Sequence, residues 1–286
     1  MTDPAAQRLF RLCLVHERLI LGVTMGLLVL LAWEGLGRGW WADLLSPVFG
    51  SAAELLRIKP IFVSTPSAVA GTGFRLYFIT GEIWLHLATS GLELLVGLSA
   101  AAAVGIPAGL IAGRYRLVSA AVDPFVSAFN ATPQVAFLPL LVLWIGTGFP
   151  TRALIIFLLA VLPIMINAHA AVRTVDGRLL TVARSFGASQ AWTVFSIILP
   201  ASVPFVLAGL RLAIGRGMIG IVVGELYGSA RGLGFMMNQA GSLFQTDKVF
   251  VGVLTLVAAG LALTELVRRL ERRIEIRRAP GLDIAS

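Results

Sequence analysis

The sequence predicts an all-α membrane protein with about six spanning helices, and three observations carry that prediction. Of the 286 residues, 57% are hydrophobic and only 13% are charged, about half the charged share of a soluble domain. Apolar runs of the roughly 20 residues needed to cross a bilayer recur along the whole chain. Basic residues gather beside alternate gaps between those runs, as they do in cytoplasmic loops. The net charge of +8 does not point to nucleic acid, because the basic side chains sit next to apolar runs and not along one soluble face. Cys13 is the single cysteine, which excludes an internal disulfide and argues against a thiolate metal site.

The spans follow in order. Residues 19–36 are apolar with no small-residue cleavage site after them and read as a retained anchor. Residues 86–112, 122–145, 153–172, 204–224 and 249–267 complete the set, so that 1–286 is a single transmembrane domain. Pro107, Pro133, Pro139, Pro163 and Pro204 lie within these runs, where neighbouring helices can satisfy the freed backbone groups. Kinks are expected at Pro133 and Pro139. Between the first two spans, Thr65-Pro66-Ser67 is a helix cap followed by proline at the first helical position, predicting a short interfacial helix. The Gly-rich GSARGLG within 225–248 predicts a bent or re-entrant loop. The last span runs on into LVRRLERRIEIRR, a basic extension that reads as an anchor at the lipid surface.

Charge sets the orientation. With the N-terminus inside, fourteen basic residues face the cytoplasm, among them Arg8, Arg11, Arg18, Arg114, Arg116, Arg173, Arg178, Arg184 and the six arginines of the tail. Seven face outward: Arg38, Arg57, Lys59, Arg75, Arg152, Arg231 and Lys248. Both termini are then cytoplasmic, as is the polar segment 173–200.

That segment has the chemistry of two short helices broken at Gly187, since glycine readily takes positive φ at a helix end. The second piece is expected to end at Pro200. Val182, Phe186 and Trp192 would be exposed outside the lipid, where apolar groups want a protein partner; an ordinary interfacial loop is the alternative. The spacing of Gly187, Ile197, Leu199 and Pro200 resembles the coupling motif E-A-A-x3-G-x9-I-x-L-P of ABC-importer permeases. Further pieces carry the resemblance along nearly the whole chain: STPSAV at 64–69, GIPAGLIAG at 105–113, DPFVSAFNATPQVAFLPLLVLWIGTG at 123–148, VRTVDGRLLTVARSFGAS at 172–189, LPASVPFVLAGLRLAIGRGMIGIVVGEL at 199–226 and GLG at 232–234. Together they are similar to the subfamily for nitrate, sulfonate, taurine and bicarbonate uptake. Thr181 and Val182 stand where the general motif has Glu and Ala, and Glu93 stands where a basic residue is expected.

The resemblance implies a type I ABC-importer permease fold in the bacterial cytoplasmic membrane, with a cytoplasmic coupling helix. It implies that Ala183, Ser185, Phe186, Gly187, Ala188, Ile197, Leu199 and Pro200 couple the chain to an ATPase. The implied partners are a second copy of the chain, two ATP-binding subunits, an extracytoplasmic solute-binding protein and membrane lipid. The chain has no G-x-x-x-x-G-K-[ST] loop, and neither of its lysines, Lys59 and Lys248, follows a glycine-rich turn. The backbone cradle for phosphate is therefore missing, so ATP and Mg are expected on a separate subunit and no cofactor on this one. No cluster of metal spacing and no Ser–His–Asp constellation presents itself, so neither a catalytic nor a metal site is expected. An ion-gradient-driven transporter is the rival reading; it would show internal inverted repeats. The solute also stays open, from the listed anions to a pyrimidine precursor or an aromatic carboxylate.

Ionisable groups inside the spans are functional-site hypotheses by default. Glu34 and Glu265 are expected to reach the headgroups, Arg211 to snorkel to the cytoplasmic surface, and His169 to make a helix-packing hydrogen bond. Arg216 lies deep in its span beside Gly215, Gly217 and Gly220. It either pairs with Glu93 or offers positive potential to an anion in the translocation pathway. Asn130 and Gln134, around the Pro133 kink, are the other pathway candidates; they either line the pathway or hold helices together.

Overall fold

The computed structural model describes residues 17–50, 60–227 and 229–278. Arg8, Arg11, Cys13, Arg57, Lys59 and Gly228 lie outside the described residues, as do the side chains of Arg18, Arg277 and Arg278. Among the described residues there is no strand. Packing divides the chain into two units, residues 1–80 with 239–251 and residues 81–238 with 252–286.

The first unit contains α1 (Glu17–Arg38), α2 (Trp40–Phe49), α3 (Pro60–Val63), α4 (Pro66–Phe74) and a π turn at Arg75–Ile79. α1 is apolar on every side, and Leu21, Met25, Leu28 and Leu31 are exposed, the pattern of a helix whose solvent is lipid. α4 starts where its cap predicts: the Thr65 side chain accepts from the Ala68 amide at 3.2 Å, with Pro66 in the first turn. Glu34 reinforces that start. Its carboxylate accepts from the Ser67 amide at 3.0 Å, the Ser67 hydroxyl at 2.7 Å and Arg38 Nε at 2.5 Å. Glu34 thus anchors α4 to α1.

The second unit holds α5 (Glu82–Arg114), α6 (Arg116–Ala131), α7 (Leu138–Ile145), α8 (Phe149–Arg173), α9 (Gly177–Ser185), α10 (Gln190–Thr193) and α11 (Leu199–Leu226). α12 (Leu233–Ser242) and α13 (Thr246–Arg278) follow, each with one part in either unit. The expected loop at 225–248 contains the helix α12. The expected span at 122–145 is a pair of helices, Arg116–Ala131 and Gln134–Ile145, meeting at 86°. The break falls at Pro133. Thr132 before it is extended (φ −81°, ψ 136°), because the proline ring disfavours a helical residue ahead of it. Pro139 does not kink a helix; it sits in the first turn of α7, where its missing amide costs nothing.

α5 and α8 pack along a stripe of small residues at four-residue spacing. A Cβ on Gly97 would stand 2.6 Å from Ile156 Cγ2, one on Gly105 2.9 Å from the Val161 carbonyl, and one on Gly113 2.7 Å from the His169 carbonyl. Small residues let the backbones approach this closely. The partners advance together along both helices, so α5 and α8 run parallel. α11 runs against them: Gly209 faces Pro163 and Ile164, Gly220 faces Ile156, and Gly224 faces Ile155 and Arg152. α13 runs against α11, with Gly260 on Met218 and Glu271 on Arg211.

This geometry settles the bent pair. Two parallel helices joined in sequence need a return path between them, so α6 and α7 together travel back across the same thickness as one broken span. Among the described residues five single helices are long and apolar enough to cross a membrane, and the bent pair makes six. Cysteines placed singly at Ser189 and Ser229, in a background lacking Cys13, should accordingly label from opposite faces. Labelling of both from one face would overturn the six-span arrangement.

Candidate coupling segment and pathway

α9 begins at Asp176, whose side chain accepts from the Arg178 amide at 2.8 Å, and ends in a Schellman closure. The Ala188 amide donates to the Ala183 carbonyl at 3.0 Å and the Gly187 amide to the Arg184 carbonyl at 2.9 Å. This closure requires a left-handed residue, and Gly187 supplies it at φ +72°. Ser189 then caps α10, accepting from the Trp192 amide at 3.1 Å. The result is a knob of two helices meeting at Gly187.

The second helix does not end at Pro200. Gln190–Leu226 is one helical run of 37 residues. A π turn at Val194–Ile198 precedes Pro200, and its Leu199 amide reaches back to the Val194 carbonyl. That wider turn gives the proline ring room without breaking the helix. At 1.5 Å per residue the run is about 55 Å long, far more than a hydrocarbon core of about 30 Å.

Of the coupling candidates, Ala183 is buried and Ile197, Ala188 and Pro200 are half-buried. Ser185, Gly187 and Leu199 are exposed, and Phe186 is 88% exposed. The Ser185 hydroxyl is turned back onto the Thr181 carbonyl at 3.1 Å. Leu179, Val182, Phe186, Ala188, Trp192 and Ile197 line an open apolar groove of about 600 Å³. The knob is tied to the end of α5 through Arg114, whose Nη2 donates to Gln190 Oε1 at 2.6 Å.

Of the pathway candidates, Arg216 is brought to Asn130, whereas Gln134 and Glu93 have other partners. Gln134 is buried, its amide directed to the Phe129 carbonyl at 3.4 Å across the Pro133 break. Glu93 is fully buried and pairs with Arg152, Nε to Oε1 at 2.6 Å. The pairing of Glu93 with Arg216 is thereby overturned. Arg152 belongs to the first turn of α8, which starts four residues earlier than the apolar run suggested. Arg216 instead points off the packed face of α11, half-exposed, with Nη1 3.5 Å from Asn130 Oδ1. Gly217 and Gly220 lie on the packed face, whereas a Cβ on Gly215 would meet nothing within 4 Å.

The other ionisable groups have helix partners. Arg211 pairs with Glu271 at 3.1 Å, and Glu265 pairs with Arg268 and Arg269. His169 Nε2 lies 3.2 Å from Ser119 Oγ, which also donates to Asp123 at 2.8 Å. The serine stands between the other two, which is not the order of a nucleophile, base and orienter. Sequence reasoning counted Arg152 with the loops and missed Ser90, and it flagged His86 and Glu225 only as ionisable groups near span ends, without their partners. The GLG at 232–234 was their visible signal, because those amides are bound by the last three.

Residues 105–276 match the family described as binding-protein-dependent transport system inner membrane component. The chain belongs to that family. It is 34% identical over 231 residues to the taurine transport system permease protein TauC of Escherichia coli (strain K12), covering 79% of this chain and 84% of that one. It is 32% identical to the putative aliphatic sulfonates transport permease protein SsuC of Bacillus subtilis (strain 168), covering 82% and 87%. It is also 32% identical to the riboflavin transport system permease protein RibX of Chloroflexus aurantiacus, covering 79% and 84%. Among solved structures, an inward-facing MetNI methionine ABC transporter matches with TM-score 0.56 at 19% identity, covering 70% of this chain and 97% of that one. An amino acid ABC transporter solved with histidines matches with TM-score 0.52 at 17% identity, covering 71% and 98%. These two share the fold. The chain is therefore the membrane-spanning permease subunit of an ABC importer, with ATPase subunits and a binding protein as the partners its family implies.

Proposed function

We propose that two copies of this chain frame one translocation pathway for a small anionic solute, with both termini and the knob in the cytoplasm. Each knob would seat Phe186, Val182 and Trp192 in one of two ATP-binding subunits. ATP binding would then favour one of two global states of the paired permeases. The exposed, glycine-broken knob at the end of a helix that continues through the membrane supports this arrangement. A two-fold axis is the common symmetry of such assemblies, and the open face of α11 carrying Leu212, Arg216 and Ile219 suits it.

The anionic solute rests on Arg216. Arg152 and Arg211 in the spans each face a carboxylate, while Arg216 makes a long contact with an uncharged amide. A guanidinium directed into lipid is costly, so this half-exposed face of α11 belongs against protein or a water-filled path. Similarity to sulfonate, taurine and riboflavin permeases at nearly equal identity leaves the solute to be decided by such local chemistry and by the binding protein.

Arg216→Gln should leave assembly with the ATPase subunits and thermal stability intact while abolishing uptake of an anion. Arg216→Lys should keep part of the uptake, since the charge survives and the planar fork is lost. Full uptake of an anionic substrate by Arg216→Gln would refute the anion reading and leave the permease role standing.

A further inference from the structure

At the end of the second unit opposite the knob, buried polar side chains converge on the start of α12. Glu225 Oε2 accepts from the Gly234 amide at 2.6 Å, and Oε1 accepts from the Ser90 hydroxyl at 2.5 Å. Ser90 Oγ in turn accepts from the Leu233 amide at 2.9 Å, and His86 Nδ1 accepts from the Gly232 amide at 3.0 Å. Glu225 and Ser90 are each 1% exposed. Three successive amides that would otherwise be unpaired at a helix start are thus held by side chains of α5 and α11. Breaking the set would leave a buried carboxylate without its donors, so the arrangement favours one fixed position of α12. The close approach needs the glycines: a Cβ on Gly234 would stand 3.0 Å from the Glu225 Cβ.

Glu225 is the last residue but one of the helical run that starts at Gln190, beside the knob. From Gly209 to Gly224 that run packs against α8 and α5. Such a helix moves as a rod and not as a string of independent turns. We propose that Glu225, supported by Ser90, is a positioning residue that yokes α12 to this rod, so that displacement imposed at the knob is delivered to α12 on the far side of the membrane. The inference rests on the coupling role proposed above for the knob.

The test is hydrogen–deuterium exchange on the permease–ATPase complex, nucleotide-free and trapped with ATP and vanadate. Two peptides are followed, one spanning the knob and one spanning α12. In the wild-type complex both should change exchange severalfold on trapping. Glu225→Ala should keep the response at the knob and lose it at α12. Glu225→Cys with Gly234→Cys, in a background lacking Cys13, starts from Cβ atoms 3.0 Å apart, so a shift of about half an ångström brings them to the roughly 3.5 Å at which a disulfide closes. Once oxidised, that pair should restore the response at α12; on reduction the response should vanish again. A structural role alone would not make the response reversible in this way.

If Glu225→Ala does not assemble, Ser90→Ala removes a single bridge and should weaken the α12 response in the same direction. A nucleotide response at α12 that survives Glu225→Ala, or an oxidised cysteine pair that stays silent at α12, overturns the yoke. A wild-type complex that responds at the knob but not at α12 overturns the yoke and leaves the coupling reading intact. Silence at both peptides overturns the two together.

Discussion

Gly187→Val should leave the permease inserted and bound to its ATPase subunits but uncouple it, with uptake falling to background. Gly187 sits at φ +72°, and a Cβ there would meet nothing within 4 Å. The penalty is therefore conformational and not steric. A left-handed residue costs an ordinary L side chain about 1–2 kcal/mol, and a β-branched one is a true outlier there. The Schellman closure that holds Ala188 to Ala183 would open, and with it the angle between α9 and α10. The same reasoning separates three variants. Gly187→Asn, which tolerates the left-handed region, should retain most uptake; Gly187→Ala should be intermediate; Gly187→Val should be inactive. Co-purification with the ATPase subunits reads assembly, and solute flux in reconstituted vesicles reads coupling. Unimpaired flux in the valine variant would contradict the assignment.

Arg152→Gln should be the most destabilising single change in the second unit. It would leave Glu93, fully buried, without its charged partner, a loss of about 3–5 kcal/mol in soluble proteins. Glu93→Gln together with Arg152→Gln should recover most of that loss, because an amide pair can keep a hydrogen bond without a bare charge. Glu93→Gln with Arg216→Gln should show no such recovery. Thermal stability of the detergent-solubilised complex, measured for the singles and both doubles, gives the coupling energy of each pair. Rescue by the Arg216 double and not by the Arg152 double would mean that the pairing of Glu93 had been assigned to the wrong arginine.

Much of the site was legible because it is local. The left-handed glycine at 187 and the exposed Phe186 follow from short-range helix chemistry, which a sequence carries within a few residues, whereas the Ser189 cap emerged only in the structure. The Thr65-Pro66 start is legible for the same reason. Pro200 misled because its effect depends on the turn before it: the π turn at Val194–Ile198 absorbs a ring that an ordinary α-helix would not. Glu93 misled because depth alone suggested Arg216, whereas Arg152 had been counted with the loops. The sequence offered no measure of which faces of two helices meet.

What the sequence determined by itself is the solvent and the inventory. Its composition demands lipid around most side chains, its apolar runs number the spans, and its polar island marks the knob. The tertiary structure decided the partners and the path. Parallel packing of α5 and α8 makes α6 and α7 one broken crossing. The glycine stripes select which faces touch, giving Glu93 to Arg152 and leaving Arg216 on the open side. Glu225, and far from it in sequence Ser90 and His86 on adjacent turns of α5, become the holder of α12. The reason is physical: hydropathy and caps are properties of neighbours along the chain, but pairing of buried charges depends on helix rotation and register, which only close packing fixes.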